Sequence, residues 1–195
     1  MIASILTILI FFPPASASDS TGTRVIEMFP KWVAIWSQCE EFDLSNFNKS
    51  DFNHRTDVCS PLSTRDSLRM SLFASYSPDS TVLIDAYANQ FFPKESGKDI
   101  FVKVRPGPSI RITNVKTGSC YAVPLSENIT IDDFGWTNTH TAIIIGHSNI
   151  SRGLSRPFYL VFDSVTDRIL LADGAICKIE APEYFKIRFP NYRFI

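Results

Sequence analysis

Three consecutive residues, Gly146-His147-Ser148, follow the apolar run Ala142–Ile145 and set a hydroxyl beside an imidazole. A serine behind a strand becomes a nucleophile in the elbow G-x-S-x-G, where a second small residue lets the backbone turn sharply into a helix. Here that second position is Ile150 and no helical period follows, which argues against a catalytic Ser148. A hydrolase site would have to gather Ser148, His147 and Asp163 from separate segments. His54, His140 and His147 are the only histidines, and none has a carboxylate or cysteine beside it at metal-ligand spacing, so no zinc centre is expected. Asp132-Asp133 lacks the alternating oxygen ligands of a calcium loop and reads as a solvated turn. Arg152 and Arg156 flank Gly153 and could hold an anion, with ordinary surface charge the plainer reading. No catalytic, cofactor-binding or metal-ligating residue is therefore expected, and no cofactor.

Cys39, Cys59, Cys120 and Cys177 carry the remaining chemistry. They are even in number, widely spaced and contain no C-x-x-C, which suits structural disulfides in an oxidising compartment better than zinc or redox work. Sequence alone leaves three connectivities open; Cys39–Cys59 with Cys120–Cys177 is the expected one, because each pair lies within one unit of the chain. Asn48, Asn128 and Asn149 head Asn-x-Ser/Thr sequons and are candidate glycan acceptors if the source is a eukaryotic secretory pathway.

The address points the same way. Ile2–Phe12 is apolar apart from Ser4 and Thr7, Pro13-Pro14 breaks it, and Ala15-Ser16-Ala17 supplies the small residues of a signal-peptidase site. Residues 1–17 are expected to be a cleaved signal peptide, too short to serve as a membrane anchor, which needs about 20 apolar residues. With 19 Lys+Arg against 20 Asp+Glu, the chain lacks the basic surplus of a nucleic-acid binder. No second long apolar stretch suggests a membrane span in the mature chain.

These side chains must be positioned by strands. From about Ser75 onward, short runs rich in Val, Ile, Tyr and Phe alternate with turn residues. The runs are Val82–Tyr87, Ile100–Val104, Ile110–Thr113, Cys120–Val123, Ala142–Ile145, Phe158–Phe162, Ile169–Ala172, Ala175–Ile179 and Phe185–Phe189, with a polar insertion at Pro93–Lys98. Residues 18–72 form a mixed region: Val25–Trp36 is apolar nearly all round but interrupted by Pro30, Glu40–Ser60 reads as a polar loop, and Thr64–Ala74 suits a short helix or a strand. Trp32, Trp36, Phe42, Phe47 and Phe52 crowd this region, and burial in a core is the expected fate of such a cluster.

Residues 73–195 contain an internal echo. Tyr76–Ile84 lines up with Trp136–Ile144, and Ile112–Gly118 with Val161–Asp167; the two offsets differ by about eleven residues, most simply the Phe92–Gly97 region. The units run over about 73–125 and 133–180. Tyr76-Ser77-Pro78-Asp79-Ser80 and Ile112-Thr113-Asn114-Val115-Lys116-Thr117-Gly118 resemble the blade signature of WD-repeat and TolB-type β-propellers. Ser80 replaces the usual glycine, the second unit has Thr-Asn-Thr for Ser-Pro-Asp, and only two units occur where a propeller needs at least four. The expected fold is mostly β: antiparallel meanders resembling two propeller blades, or a β-sandwich, behind a disulfide-pinned N-terminal region.

The functional expectation is a secreted or periplasmic, non-catalytic binding or interaction module whose partner is another protein or a second copy. A hydrolase with a scattered site and a structural component of an envelope or extracellular assembly are the alternatives.

Overall fold

The computed structural model describes residues 20–52, 59–60, 67–96, 99–104, 107–180 and 183–194. The expected signal peptide and His54 lie outside these. Helix α1 (Ser20–Met28) and helix α2 (Pro30–Trp36) meet at Phe29. Pro30 splits the apolar stretch by opening α2, where the missing N–H costs no helical bond. A 3-10 turn (Leu44–Asn46) leads into strand β1 (Asn48–Asp51), and helix α3 (Ser67–Phe73) precedes β2 (Ala74–Tyr76).

The β region is two antiparallel meanders. The first is a four-stranded sheet in the order β2, β3 (Val82–Ala88), β6 (Ser109–Asn114), β7 (Cys120–Pro124). Between β3 and β6 the chain leaves this sheet as a hairpin, β4 (Phe91–Ser96) with β5 (Asp99–Val104); β5 also pairs in parallel with the C-terminal β12 (Arg193–Phe194). The second meander is β8 (Ile129–Trp136), β9 (Thr141–Ser151), β10 (Leu154–Asp163) and β11 (Arg168–Asp173), extended at its edge by β1.

The five-stranded sheet is the middle of three layers. Ala142, Ile144, Phe158, Leu160 and Phe162 point into one core, shared with Val82, Ile84, Ile110 and Ile112 of the facing sheet. Ile143, Ile145 and Tyr159 point into a second core, against Trp32, Trp36, Leu44 and Phe47 of the N-terminal segment. A strand covered on both faces has no need of polar alternation, which accounts for the unbroken runs in β9 and β10. The aromatic cluster is accordingly core: Trp32 and Trp36 are fully buried, Phe47 is buried, and Phe42 and Phe52 are half-buried.

The aligned segments share turn chemistry. The Asn114 carboxamide oxygen accepts from the N–H groups of Lys116 and Thr117, and the Asp163 carboxylate from those of Val165 and Thr166, the same Asx turn in each unit. The second unit joins β9 to β10 by a short turn at Arg152-Gly153, where the first inserts the β4–β5 hairpin.

Four expectations are corrected. The disulfides are Cys39–Cys177 and Cys59–Cys120, so each crosses between units that the local pairing kept apart. Cys39, at the end of α2, reaches Cys177, whose backbone bridges Ser155 of β10; the bond ties the helical layer to the middle sheet. The polar insertion at Pro93–Lys98 lies largely in β4, and Phe185–Phe189 is mostly helix α4 (Tyr184–Arg188). Ala175–Ile179 contributes only the bridge at Cys177.

Candidate functional site

The buried ionisable groups gather at β8. Its pairing with β9 shifts by one residue between Ile131 and Asp133, a bulge at Asp132. Bulges re-aim side chains and recur beside functional sites. The Gln90 side chain takes the place of a neighbouring strand here: its Nε2 donates to the Ile131 carbonyl and its Oε1 accepts from the Ile131 N–H. The Tyr87 hydroxyl donates to the Asp132 carbonyl at 3.0 Å.

The Asp132 side chain is 0% exposed. Its Oδ2 accepts from Trp32 Nε1 at 2.9 Å and lies 2.9 Å from His147 Nδ1, while Oδ1 has no hydrogen-bond partner among the described residues. His147 is 2% exposed, with the Trp36 ring centroid 6.0 Å away. The neighbouring Asp133 is buried and receives Arg188 Nε of α4 at 3.0 Å. Burial pushes the Asp133 carboxyl above the usual carboxylate range, against the pull of Arg188. Tyr184 is pushed up to about 12, by burial first and then by the charges of Asp133 and Asp132. Tyr87 is also raised well above the ordinary phenol value, chiefly by burial.

A carboxylate on the Nδ1 of an imidazole is the orienting half of a general-base relay. The working half needs an accessible Nε2 with a nucleophile or substrate beside it. His147 Nε2 bonds to no described residue, and the ring is 2% exposed with Trp36 of α2 beside it. Ser148 follows His147 on the strand and so projects to the opposite side of the pleat, paired across with Ile129 and Arg156. Asp163 lies six residues along β10 from Pro157, the cross-strand neighbour of His147, or roughly 20 Å away. The three hydrolase candidates are not brought together. Gly146 has its own reason to be glycine: a Cβ there would meet the Thr130 carbonyl oxygen at 2.4 Å and Phe158 Cζ at 2.6 Å.

Asp132-Asp133 is thus a buried bulge instead of a solvated turn. Across the β8–β9 hairpin, Thr130 pairs with His147, so the diagonal neighbour Asp132 was within reach of a strand reading that recognised β8. Arg152 sits exposed at the β9–β10 turn beside a cavity of about 740 Å³ that Glu180 and Glu183 also line, a poor setting for an anion. Arg156, half-buried, acts on Asp173 of β11. Exposed His140 stands at the turn end of the sheets, near the Asp79 and Asp163 carboxylates. No cluster of three metal-ligating side chains occurs among the described residues. Asn48, Asn128 and Asn149 are all exposed; Asn128 Nδ2 is committed to the Asn149 carbonyl at 3.1 Å.

Compared with protein-family models, curated proteins and solved structures, the chain matches none. Its class is defined by its own architecture: a three-layer, mostly β protein closed by two disulfides, a chemistry suited to an oxidising, non-cytoplasmic setting. No helix among the described residues is long and apolar enough to cross a membrane.

Proposed function

We propose that this is a secreted or periplasmic binding module that acts by holding a partner and not by turning over a substrate. The observation that supports this best is the enclosure of the carboxylate–imidazole pair: Asp132 and His147 are spent inside the second core, on Trp32 and on each other. What faces solvent is the turn end of the meanders, where Tyr76, Val115 and Val165 stand exposed. The matching Asx turns favour reading the two meanders as blade-like units. A fluorophosphonate probe tests the non-catalytic reading. The oxidised protein is expected to remain unlabelled at Ser148, and labelling that disappears on His147→Gln would overturn it. Crosslinking in the native compartment tests the partner. A discrete crosslinked species through the turn end is expected, and a protein recovered only as free monomer would contradict the proposal.

A further inference from the structure

Arg188 is held by two contacts, one of them to a residue that is itself fixed. Its Nε donates to the buried Asp133, its guanidinium lies 5.3 Å from the Phe189 ring centroid, and Phe189 itself is buried against Phe73, Tyr87 and Phe91. The next residues are fixed as well, through the bond from the Tyr192 N–H to the Phe189 carbonyl and the pairing of β12 with β5. Yet the side chain is 49% exposed, and its two Nη groups bond to no described residue. Arg69, by contrast, spreads its donors over Asp85 and the carbonyls of Tyr87 and Phe91. Arg188 lines a cavity of about 260 Å³ together with Ser71 of α3, Asn191 and Tyr192. An immobilised guanidinium with free Nη groups matches paired oxygens, and holding it in place beforehand removes much of the ordering cost of binding.

We infer that Arg188 anchors a binding site for a small oxyanion, a carboxylate or a phosphate, in this cavity between α3 and the segment that follows α4. Asn191 supplies an amide at the rim, and Asp133 fixes the guanidinium without occupying its Nη edge. The site is separate from the turn end, so its failure would leave the binding-module reading standing.

The test is an amide-resolved NMR titration of the oxidised protein with inorganic phosphate and, separately, with acetate. Saturable shifts over Arg188–Tyr192, with dissociation constants on the order of millimolar, are expected for at least one anion. The response to phosphate against acetate decides which oxygen geometry the site takes. Arg188→Gln is expected to weaken binding by at least about tenfold. Asn191→Asp, which leaves the Asp133–Arg188 pair intact and offers the Nη edge a carboxylate of its own, should do the same and decides the matter if Arg188→Gln fails to fold. Absence of saturable shifts with both anions, or unchanged binding in Asn191→Asp, would overturn the inference.

Discussion

Each of the two meanders buries one aspartate almost completely, Asp85 in the first and Asp132 in the second, and the two are partnered by different means. Asp85 of β3 receives Arg69 of α3 on both oxygens, at 2.6 and 3.0 Å, and the spare Arg69 donors satisfy the carbonyls of Tyr87 and Phe91. Asp132 of β8 meets Trp32 and His147 on one oxygen and, among the described residues, nothing on the other. The first network is closed and carries a permanent positive charge; the second is open and depends on an imidazole. Burial raises the Asp85 carboxyl, with Arg69 pulling against it. An unsatisfied buried oxygen costs about 1–3 kcal/mol, so the second network is the weaker fastening. The layer it fastens is also tied by the disulfide Cys39–Cys177, while Cys59–Cys120 reaches β7 of the first sheet. The difference lies in the helices: a closed ion-pair network bolts α3 to the first sheet, whereas the N-terminal helices rest on an open network backed by a disulfide.

That contrast can be broken most forcefully at the disulfide. Replacing Cys39 and Cys177 together should cost roughly 5 kcal/mol, the chain-entropy value for a separation of 138 residues, read as a lower denaturation midpoint in urea. Next is Arg69→Leu, which leaves Asp85 buried and unpaired and should cost about 3–5 kcal/mol; Arg69→Leu with Asp85→Leu should recover much of the loss. His147→Phe should cost less, about 1.5–3 kcal/mol, because Trp32 still serves Asp132. If the His147 loss equalled the Arg69 loss, the asymmetry between the networks would be gone. The smallest effect concerns pH. Burial lifts the Asp133 pKa above its unfolded value of about 3.9, so the folded state holds that proton more tightly between about 4 and the raised value. Stability should therefore fall as pH rises through that window, and Asp133→Asn should flatten this part of the profile in urea titrations at a series of pH values.

Much of the scaffold was legible in composition and pattern. The unbroken runs of β3, β9 and β10 announced buried strands, and the even cysteine count announced disulfides. What failed was long-range or ambiguous. Cys39 and Cys177 meet because α2 packs on the middle sheet, a packing that no local spacing records. Strand β8 was hidden because two aspartates follow Ile131, and a pair of acids reads as solvent-facing unless Trp32, His147 and Arg188 are known to meet them. Helix α4 was mistaken for a strand because Phe185, Ile187 and Phe189 alternate, a pattern that five helical residues can also carry. Gly146-His147-Ser148 had the residue types of an elbow, but the glycine answers to the Thr130 carbonyl and Phe158, and the histidine to Asp132.

Carbethoxylation of the folded, oxidised protein, mapped by mass spectrometry, tests most directly whether His147 is a buried core residue. Exposed His140 should react readily, while His147 should stay unmodified until the protein is denatured. Modification of His147 at a rate like that of His140 under native conditions would contradict the account and return the Asp132–His147 pair to candidacy as an active centre.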